Sequence, residues 1–269
     1  MVLADLTLAR RLEASEAAAN VSFVEARGRI SPEDGAGWID VGGARAMFDG
    51  ADSPCTQTFG LGLFSDATTT DLEQLEAYFR ERGARVNHEV SPLGGISLAQ
   101  LLILRGYRPV EFTNVLYKPL KSGVKLDESE SDVQVRVMEA GEEELWSQIS
   151  ARGWAEHPEW TEFLQSLGRV SASSEGVLPF FACLNEEPVG TGLLRCHDGV
   201  ALFGGASTIP EARRRGAQAA LLTARTNCAI AQGCDLAMIC AQPGSISQCN
   251  AQRQGFRIAY TRTKWQLAP

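Results

Sequence analysis

The 269-residue chain has no Cys-x-x-Cys pair, no excess of basic charge and only three histidines. No segment approaches the roughly 18 uninterrupted apolar residues that a membrane span requires, so no membrane partner is expected. The seven cysteines (Cys55, Cys183, Cys196, Cys228, Cys234, Cys240, Cys249) are an odd number. They indicate neither a disulfide framework nor a zinc site, and a reducing cytoplasm suits free thiols. No metal site is expected at His157 either, because no His, Asp or Cys stands at ligand spacing from it. With 25 Lys+Arg against 33 Asp+Glu the formal net charge is −8, a field that repels phosphate backbones and argues against a nucleic-acid partner. The N-terminus intersperses Asp5, Arg10, Arg11 and Glu13 among apolar residues, which reads as an amphipathic helix and not a signal peptide. What is present is ordinary globular composition: 44% hydrophobic and 22% charged residues.

The stretch 122–132 is polar, acidic and rich in serine, with no apolar period, and reads as a linker. It divides the chain into domains 1–121 and 133–269, both of ordinary size. Their sequences repeat one another. Gly83 and Ile96-Ser97 recur as Gly233 and Ile246-Ser247 at an offset of 150 residues, and Gly106-Tyr107-Arg108 as Gly255-Phe256-Arg257 at 149. Pro92 and Pro243 lie between them in both runs. So steady an offset predicts two copies of one fold. In the first copy the pattern gives a helix over 71–81, a strand over 86–90, a helix over 97–104 and a strand over 111–117. In the second it gives a helix over 217–231, a strand over 236–240, a helix over 247–254 and a strand over 258–265. Upstream of these lie a strand over 133–137, helices over 142–150 and 159–167, and a meander over 180–184, 188–196 and 200–207. The predicted class is mixed α+β.

The most informative local sequence is Ala206-Ser-Thr-Ile209-Pro210-Glu211-Ala-Arg213-Arg214-Arg215-Gly216-Ala217-Gln218-Ala219. A strand ends near Thr208, the chain turns at Pro210, and a long helix starts close to Gly216. The first N–H groups of such a helix have no internal partners and its dipole adds positive charge. Gly216 and Ala217 leave the backbone accessible, and three arginines add charge. Together they form an anion cradle suited to a pyrophosphate. The bland alternative is an amphipathic helix with a basic first turn. Neither a Walker loop nor a dinucleotide fingerprint is present.

These residues, Ile209-Pro210-Glu211-x-Arg213-x-x-Gly216-x-Gln218-x-x-Leu221-Leu222, resemble the acetyl-CoA signature of the GNAT acetyltransferase superfamily. Asn250 and Gly255-Phe256 resemble its second motif, and the resemblance spans about residues 133–267. Gln218 stands where that family usually has Gly or Ala. The resemblance implies tandem GNAT-like domains, each a mostly antiparallel twisted sheet flanked by helices. It implies acetyl-CoA as co-substrate and direct transfer of an acetyl group to an amine of a small molecule or peptide in a ternary complex. It also implies that backbone groups of Ala206, Ser207 and Thr208 hold the pantetheine and polarise the thioester. Ile209, Arg214, Arg215, Gly216, Ala217, Gln218 and Ala219 then form the pyrophosphate cradle, and Asn250 bonds the pantetheine arm. The first copy lacks the cradle: the matching stretch holds Asp66, Asp71 and Glu73 and no arginine.

An amine of pKa about 10 must lose its proton, whereas the leaving thiol has a pKa near 8.5, so deprotonation and oxyanion stabilisation are the larger needs. No acid or base identifies itself. The family's tyrosine position is Ala251, and 199–208 contains no glutamate. Ser245, Ser247, Cys249 and Tyr260 remain as candidates, each with a structural alternative as cap, packing residue or sheet aromatic. The loop with Trp154, Glu156 and His157 is expected to cover an amine-bearing, partly apolar acceptor. Two functions follow for comparison: an N-acetyltransferase, or a non-catalytic acyl-CoA-binding sensor. Either is compatible with a monomer or a homodimer.

Overall fold

Asp5 accepts a hydrogen bond from the Leu8 N–H at 2.9 Å and starts α1 (Leu6–Ile30), which closes with Arg27 and Arg29 in its last turn. Both ends suit the helix dipole. At 25 residues α1 is much longer than the N-terminal charge pattern suggested. The computed structural model describes residues 4–124, 126 and 132–268. Most of the expected linker, residues 125 and 127–131, lies outside the described residues.

The chain divides into two units. The first comprises Met1–Leu116, Cys240–Gln248 and Arg257–Pro269, and the second Tyr117–Ile239 and Cys249–Phe256. A single cut at 122–132 does not describe this division. The last 30 residues, expected whole in the domain 133–269, are shared between the units, because the C-terminal strand hydrogen-bonds with the first.

In the first unit, β1 (Gly37–Val41) and β2 (Ala44–Phe48) form a hairpin about Gly42-Gly43, whose φ values of 60° and 83° need glycine. β3 (Gln57–Phe59) follows antiparallel. α2 (Thr69–Arg80) is closed at its start by a capping box: the Thr68 hydroxyl takes the Asp71 N–H and the Asp71 carboxylate takes the Thr68 N–H. β4 (Asn87–Val90) lies parallel to β3, and α3 (Gly95–Leu104) and β5 (Tyr107–Pro119) complete the repeat. The order in this unit is β1–β2–β3–β4–β11–β5, with β11 (Arg257–Leu267) antiparallel to β4. Leu72, Leu75 and Phe79 of α2 and Leu102 of α3 pack with Ala46, Val90 and Tyr107 into its core.

Behind that core lies a buried histidine. His88 meets the Tyr107 hydroxyl at 2.9 Å, and Tyr107 donates to Glu76 at 3.2 Å. Tyr107 being the donor to Glu76, His88 Nε2–H donates to Tyr107, and Nδ1 has no partner among the described residues. Burial lowers the His88 pKa to about 3. In the unfolded chain the ring takes a proton below about pH 6.5. Its contribution to stability is therefore lost as pH falls from about 6.5 towards 3, by about 1.4 kcal/mol per unit where only the unfolded state is protonated. Glu13, raised to about 7 chiefly by burial, acts in the opposite sense: its contribution is present below the unfolded value and lost as pH rises through 7. Comparing His88→Gln with the parent chain isolates the histidine. The parent should lose stability more steeply between pH 6.5 and 4 in urea titrations, and parallel slopes would rule this out.

In the second unit, β6 (Val133–Val137), β7 (Val177–Leu184), β8 (Glu187–His197) and β9 (Val200–Thr208) form an antiparallel meander. β10 (Leu236–Ala241) joins β9 in parallel, giving the order β10–β9–β8–β7–β6. α4 (Glu143–Arg152) and α5 (Thr161–Ala172) cross close together, Gly168 standing where a Cβ would lie 3.0 Å from the Ser147 backbone. The Trp146 indole N–H donates to the Phe180 carbonyl at 3.1 Å and fixes α4 on β7. α6 (Ala217–Ala231) follows β9, and α7 (Ile246–Arg253) follows β10. Among the strand pairings described, each unit thus has a mostly antiparallel sheet, as the resemblance implied, with one parallel step, β3–β4 in the first and β9–β10 in the second. No helix among the described residues is long and apolar enough to cross a membrane.

Candidate functional site

β9 runs parallel to β10 for three residue pairs only, from Leu236↔Val200 to Met238↔Leu202, and then continues alone to Thr208. On its other side the register with β8 breaks between Thr191 and Leu193, which leaves Gly205 and Ala206 unpaired in a bulge. Gly205 has φ of 57°, and a Cβ there would lie 2.7 Å from Leu193 and 3.1 Å from Trp146, so only glycine fits. Splay on one side and bulge on the other open the backbone of β9 at Gly205 and Ala206. Of the three residues that the resemblance placed at the thioester, Ala206 lies in the bulge, whereas Ser207 and Thr208 pair with Thr191 and Gly190 of β8.

A buried arginine holds the bulge. Arg225 of α6 donates through Nη1 to the carbonyls of Leu193 and Gly204 at 3.0 and 3.1 Å, and through Nε to Leu221 at 3.1 Å. Its guanidinium stands 5.2 Å from the Phe203 ring centre. Burial lowers its pKa to about 10, so it stays charged at neutral pH. Sequence reasoning missed this residue, because within α6 it looks like any exposed helical arginine.

α6 begins at Gly216, which is left-handed at φ 89° and carries no side-chain cap. The first helical bond runs from Ala220 N–H to the Gly216 carbonyl at 3.0 Å. The N–H groups of Ala217, Gln218 and Ala219 consequently have no partner among the described residues. α2, at the corresponding place of the first copy, has its own capping box and offers no such opening. Gln218 does not project into the cradle. Its side-chain amide donates to the Ser207 carbonyl at 3.0 Å and the Thr208 hydroxyl at 2.8 Å, tying α6 to the end of β9. Ile209, expected to lend its backbone, has its N–H on the Val189 carbonyl at 3.0 Å and its carbonyl on Ala212 N–H at 3.1 Å. The Ser207 hydroxyl donates to the Ser150 carbonyl at 2.7 Å. A Cβ on Gly153 would overlap that hydroxyl, so α4 ends directly against β9.

The three arginines differ. Arg213 is committed to the α4–α5 loop: it forms a two-pronged ion pair with Glu156 and donates to the Gly153 carbonyl at 2.8 Å. That bond holds the Glu156 carboxyl at about 2. Arg214, itself left-handed at φ 63°, and Arg215 are exposed. Asn250 is half-buried in α7, and its carboxamide has no bond to the described residues.

Between α4, α5 and the β9 bulge lies a cavity of about 290 Å³. Trp146 and Ser150 come from α4, Leu164, Leu167 and Ser171 from α5, and Gly205 and Ala206 from the bulge. Of the three residues expected near an acceptor, Trp154 is among the lining residues, and Glu156 and His157 are not. Glu156 is held by Arg213, and His157 stacks on Trp160 with ring centres 4.2 Å apart. The 3–4 spacing of Leu164, Leu167 and Ser171 opposite Trp146 and Ser150 was the available signal for this wall.

Of the catalytic candidates, Ser247 is exposed in α7 and counts with the first unit. Tyr260 is also in the first unit, buried, and donates to Glu13 at 2.9 Å; burial pushes its pKa well above the usual phenol value. The Ser245 hydroxyl accepts the Gln248 N–H at 3.2 Å as a cap. Among the described residues no group of His, Cys, Asp and Glu is arranged to hold a metal ion.

Comparison with solved structures decides the architecture. A GCN5-related N-acetyltransferase from Kribbella flavida superposes at a TM-score of 0.65 over 93% of this chain and 95% of its own, at 17% identity. The fold is that of the GNAT N-acetyltransferases. A GNAT-family acetyltransferase structure from Novosphingobium aromaticivorans matches at a TM-score of 0.51, 16% identity, over 91% of this chain and 97% of its own. A tandem GNAT protein from the clavulanic acid biosynthesis pathway matches at 0.56, 13% identity, over 84% and 79%. No family model and no curated protein matches the sequence. The GNAT fold and its tandem form are therefore seen in three dimensions at identities too low for whole-chain sequence matching.

Proposed function

We propose that the second unit, with the expected domain 133–269 as its sequence frame, is an acetyl-CoA-dependent N-acetyltransferase acting in the cytoplasm. The single observation that carries this reading is the uncapped start of α6 beside the bulged, splayed end of β9. The residues there fit the coenzyme: three free N–H groups, a glycine with no Cβ, two exposed arginines, and a glutamine side chain turned out of the way. Bound acetyl-CoA supplies an acyl group activated as a thioester.

In this reading the N–H groups of Ala217, Gln218 and Ala219 bind the pyrophosphate, while Arg214 and Arg215 add charge. The backbone of Gly205 and Ala206, released from the ladder, polarises the carbonyl that will carry negative charge. Asn250 bonds the pantetheine arm. Arg213, through Glu156 and Gly153, holds the loop that carries Trp154 over the acceptor. Ser247 and Tyr260 are not assigned to proton transfer: Tyr260 is locked to Glu13 and both count with the first unit. Amine deprotonation falls to water.

One observation favours the other reading, a non-catalytic acyl-CoA sensor: no titratable side chain lines the cavity. Thiol release on addition of amines separates the two, since a sensor binds acetyl-CoA and releases no coenzyme A. The cradle itself is tested by Arg215→Glu, an exposed substitution. Its acetyl-CoA dissociation constant should rise at least about tenfold by isothermal titration, equivalent to about 1.4 kcal/mol. Unchanged binding would remove the cradle from the site.

A further inference from the structure

We propose that the acceptor is a small amine on a single apolar or aromatic body, held in the cavity between α4 and α5; this rests on the acetyltransferase reading above. The walls facing the bulge are the indoles of Trp146 and Trp154 and the side chains of Leu164 and Leu167. Besides the indole N–H groups, of which Trp146's is taken by Phe180, its polar side chains among the lining residues are the hydroxyls of Ser150 and Ser171. No Asp, Glu, His, Lys or Arg is among the lining residues.

Three physical consequences follow. Apolar surface entering this cavity gains about 25 cal/mol per Å² removed from water. A second ammonium or a carboxylate on the acceptor would lose its hydration and find no opposite charge, at a cost of several kcal/mol. Glu156, in the loop beside Trp154, is already paired with Arg213, and Glu144, near Trp146, with Arg169, so neither serves a second cation. Finally, about 290 Å³ is at the small end of ligand pockets, room for one ring or a short branched chain and not for an oligosaccharide or a folded peptide segment. Two hydroxyls suffice for a single polar group on the acceptor.

The amine enters as the free base, because the cavity has no group to take its proton. Its nitrogen attacks the thioester carbonyl, the C–N bond forms and the C–S bond breaks. The nitrogen gives one proton to water, and coenzyme A leaves with the sulfur electron pair and is protonated in solvent.

The test uses the full chain with acetyl-CoA and reads thiol release for 2-phenylethylamine, 3-methylbutylamine, spermidine, lysine and glutamate. The first two should exceed the others in kcat/KM at least tenfold. Leu167→Asp, at a half-buried position, should lower kcat/KM for 2-phenylethylamine at least tenfold and narrow its lead over spermidine, with acetyl-CoA affinity unchanged. Trp154→Ala, at an exposed position, should narrow the same lead should the aspartate variant fail to fold. Preference for spermidine, lysine or glutamate overturns the acceptor assignment. So does an unaltered ratio in both variants, or acetyl-CoA binding with turnover of no amine in the panel. Failure of the parent chain to bind acetyl-CoA at all overturns the acetyltransferase reading instead.

Discussion

Replacing Arg262 with leucine is expected to lower the unfolding free energy by about 3–5 kcal/mol, the usual cost of removing one partner from a buried ionic cluster. Arg262 on β11 is 2% exposed and faces three carboxylates. It lies 3.2 Å from Glu13 and 2.6 Å from Glu16 of α1, and 2.9 Å from Glu89 of β4. Burial disfavours its charge, but Glu13 and Glu16 outweigh that and hold its proton well above the usual guanidinium range. Lys264 adds a second cation, 3.3 Å from Glu89 and 2.8 Å from Glu111. With Arg262 gone, Glu13 and Glu16 keep no cation among the ion pairs described; Glu13 is buried and Glu16 partly so. They then respond by taking up protons, so the deficit should shrink as pH falls from 7 to 5. Adding Glu16→Gln to Arg262→Leu should recover part of the loss. Glu16, held below the usual carboxylate value chiefly by Arg262, is the charge left stranded at neutral pH, whereas Glu13 is raised to about 7 even with Arg262 present. Denaturant titrations of the single and double variants check this, and a single-variant loss below about 1 kcal/mol would refute the cluster's role.

Arg225→Ala should cost about 3 kcal/mol and, on the acetyltransferase reading, most of the activity. The loss strands the Leu193 and Gly204 carbonyls beside the bulge, each worth about 1–3 kcal/mol when left unsatisfied, and opens a hole beneath Phe203. Relief from burying an arginine with no carboxylate at ion-pair distance offsets part of it. Arg225→Met separates packing from hydrogen bonding. It fills much of the space, so stability should recover, but the bulge loses its anchor. A fall in kcat of at least tenfold, with the KM for acetyl-CoA changed much less, is the expected signature of a positioning residue. Unchanged kcat in the methionine variant would leave Arg225 with a purely structural role.

The two arginines also mark the limit of sequence reading. In the sequence, Arg225 sits in a helix of good helix formers and Arg262 in an alternating strand, and both read as solvated. Nothing local to residue 262 identifies Glu13 and Glu16, some 250 positions away, as its partners. Separation along the chain, up to 60 residues here, also hid the cavity whose walls come from α4, α5 and β9. The β1–β2 hairpin, by contrast, carries a local signal, the Gly42-Gly43 pair between short strands.

The uncapped helix start proposed as the coenzyme cradle was legible because its parts are consecutive. A strand end, a proline turn, a left-handed glycine and the first N–H groups of a helix are set by neighbouring residues. The periodicity placed α6 at 217–231 and β6 at 133–137, which are the observed bounds. Gln218, a departure from the family's usual Gly or Ala, ties α6 to β9, since its rotamer depends on carbonyl and hydroxyl groups that only the folded strand presents.

By itself the sequence determined the class of the fold, the repeat behind it and the place of the uncapped helix start after β9, because these follow from short-range periodicity and backbone chemistry. Tertiary structure alone decided which unit receives the last strand, which arginine is free and which is bound, and what lines the acceptor cavity. Those outcomes depend on which charges and apolar faces meet after folding, and side chains far apart in the chain encode no such meeting in their spacing.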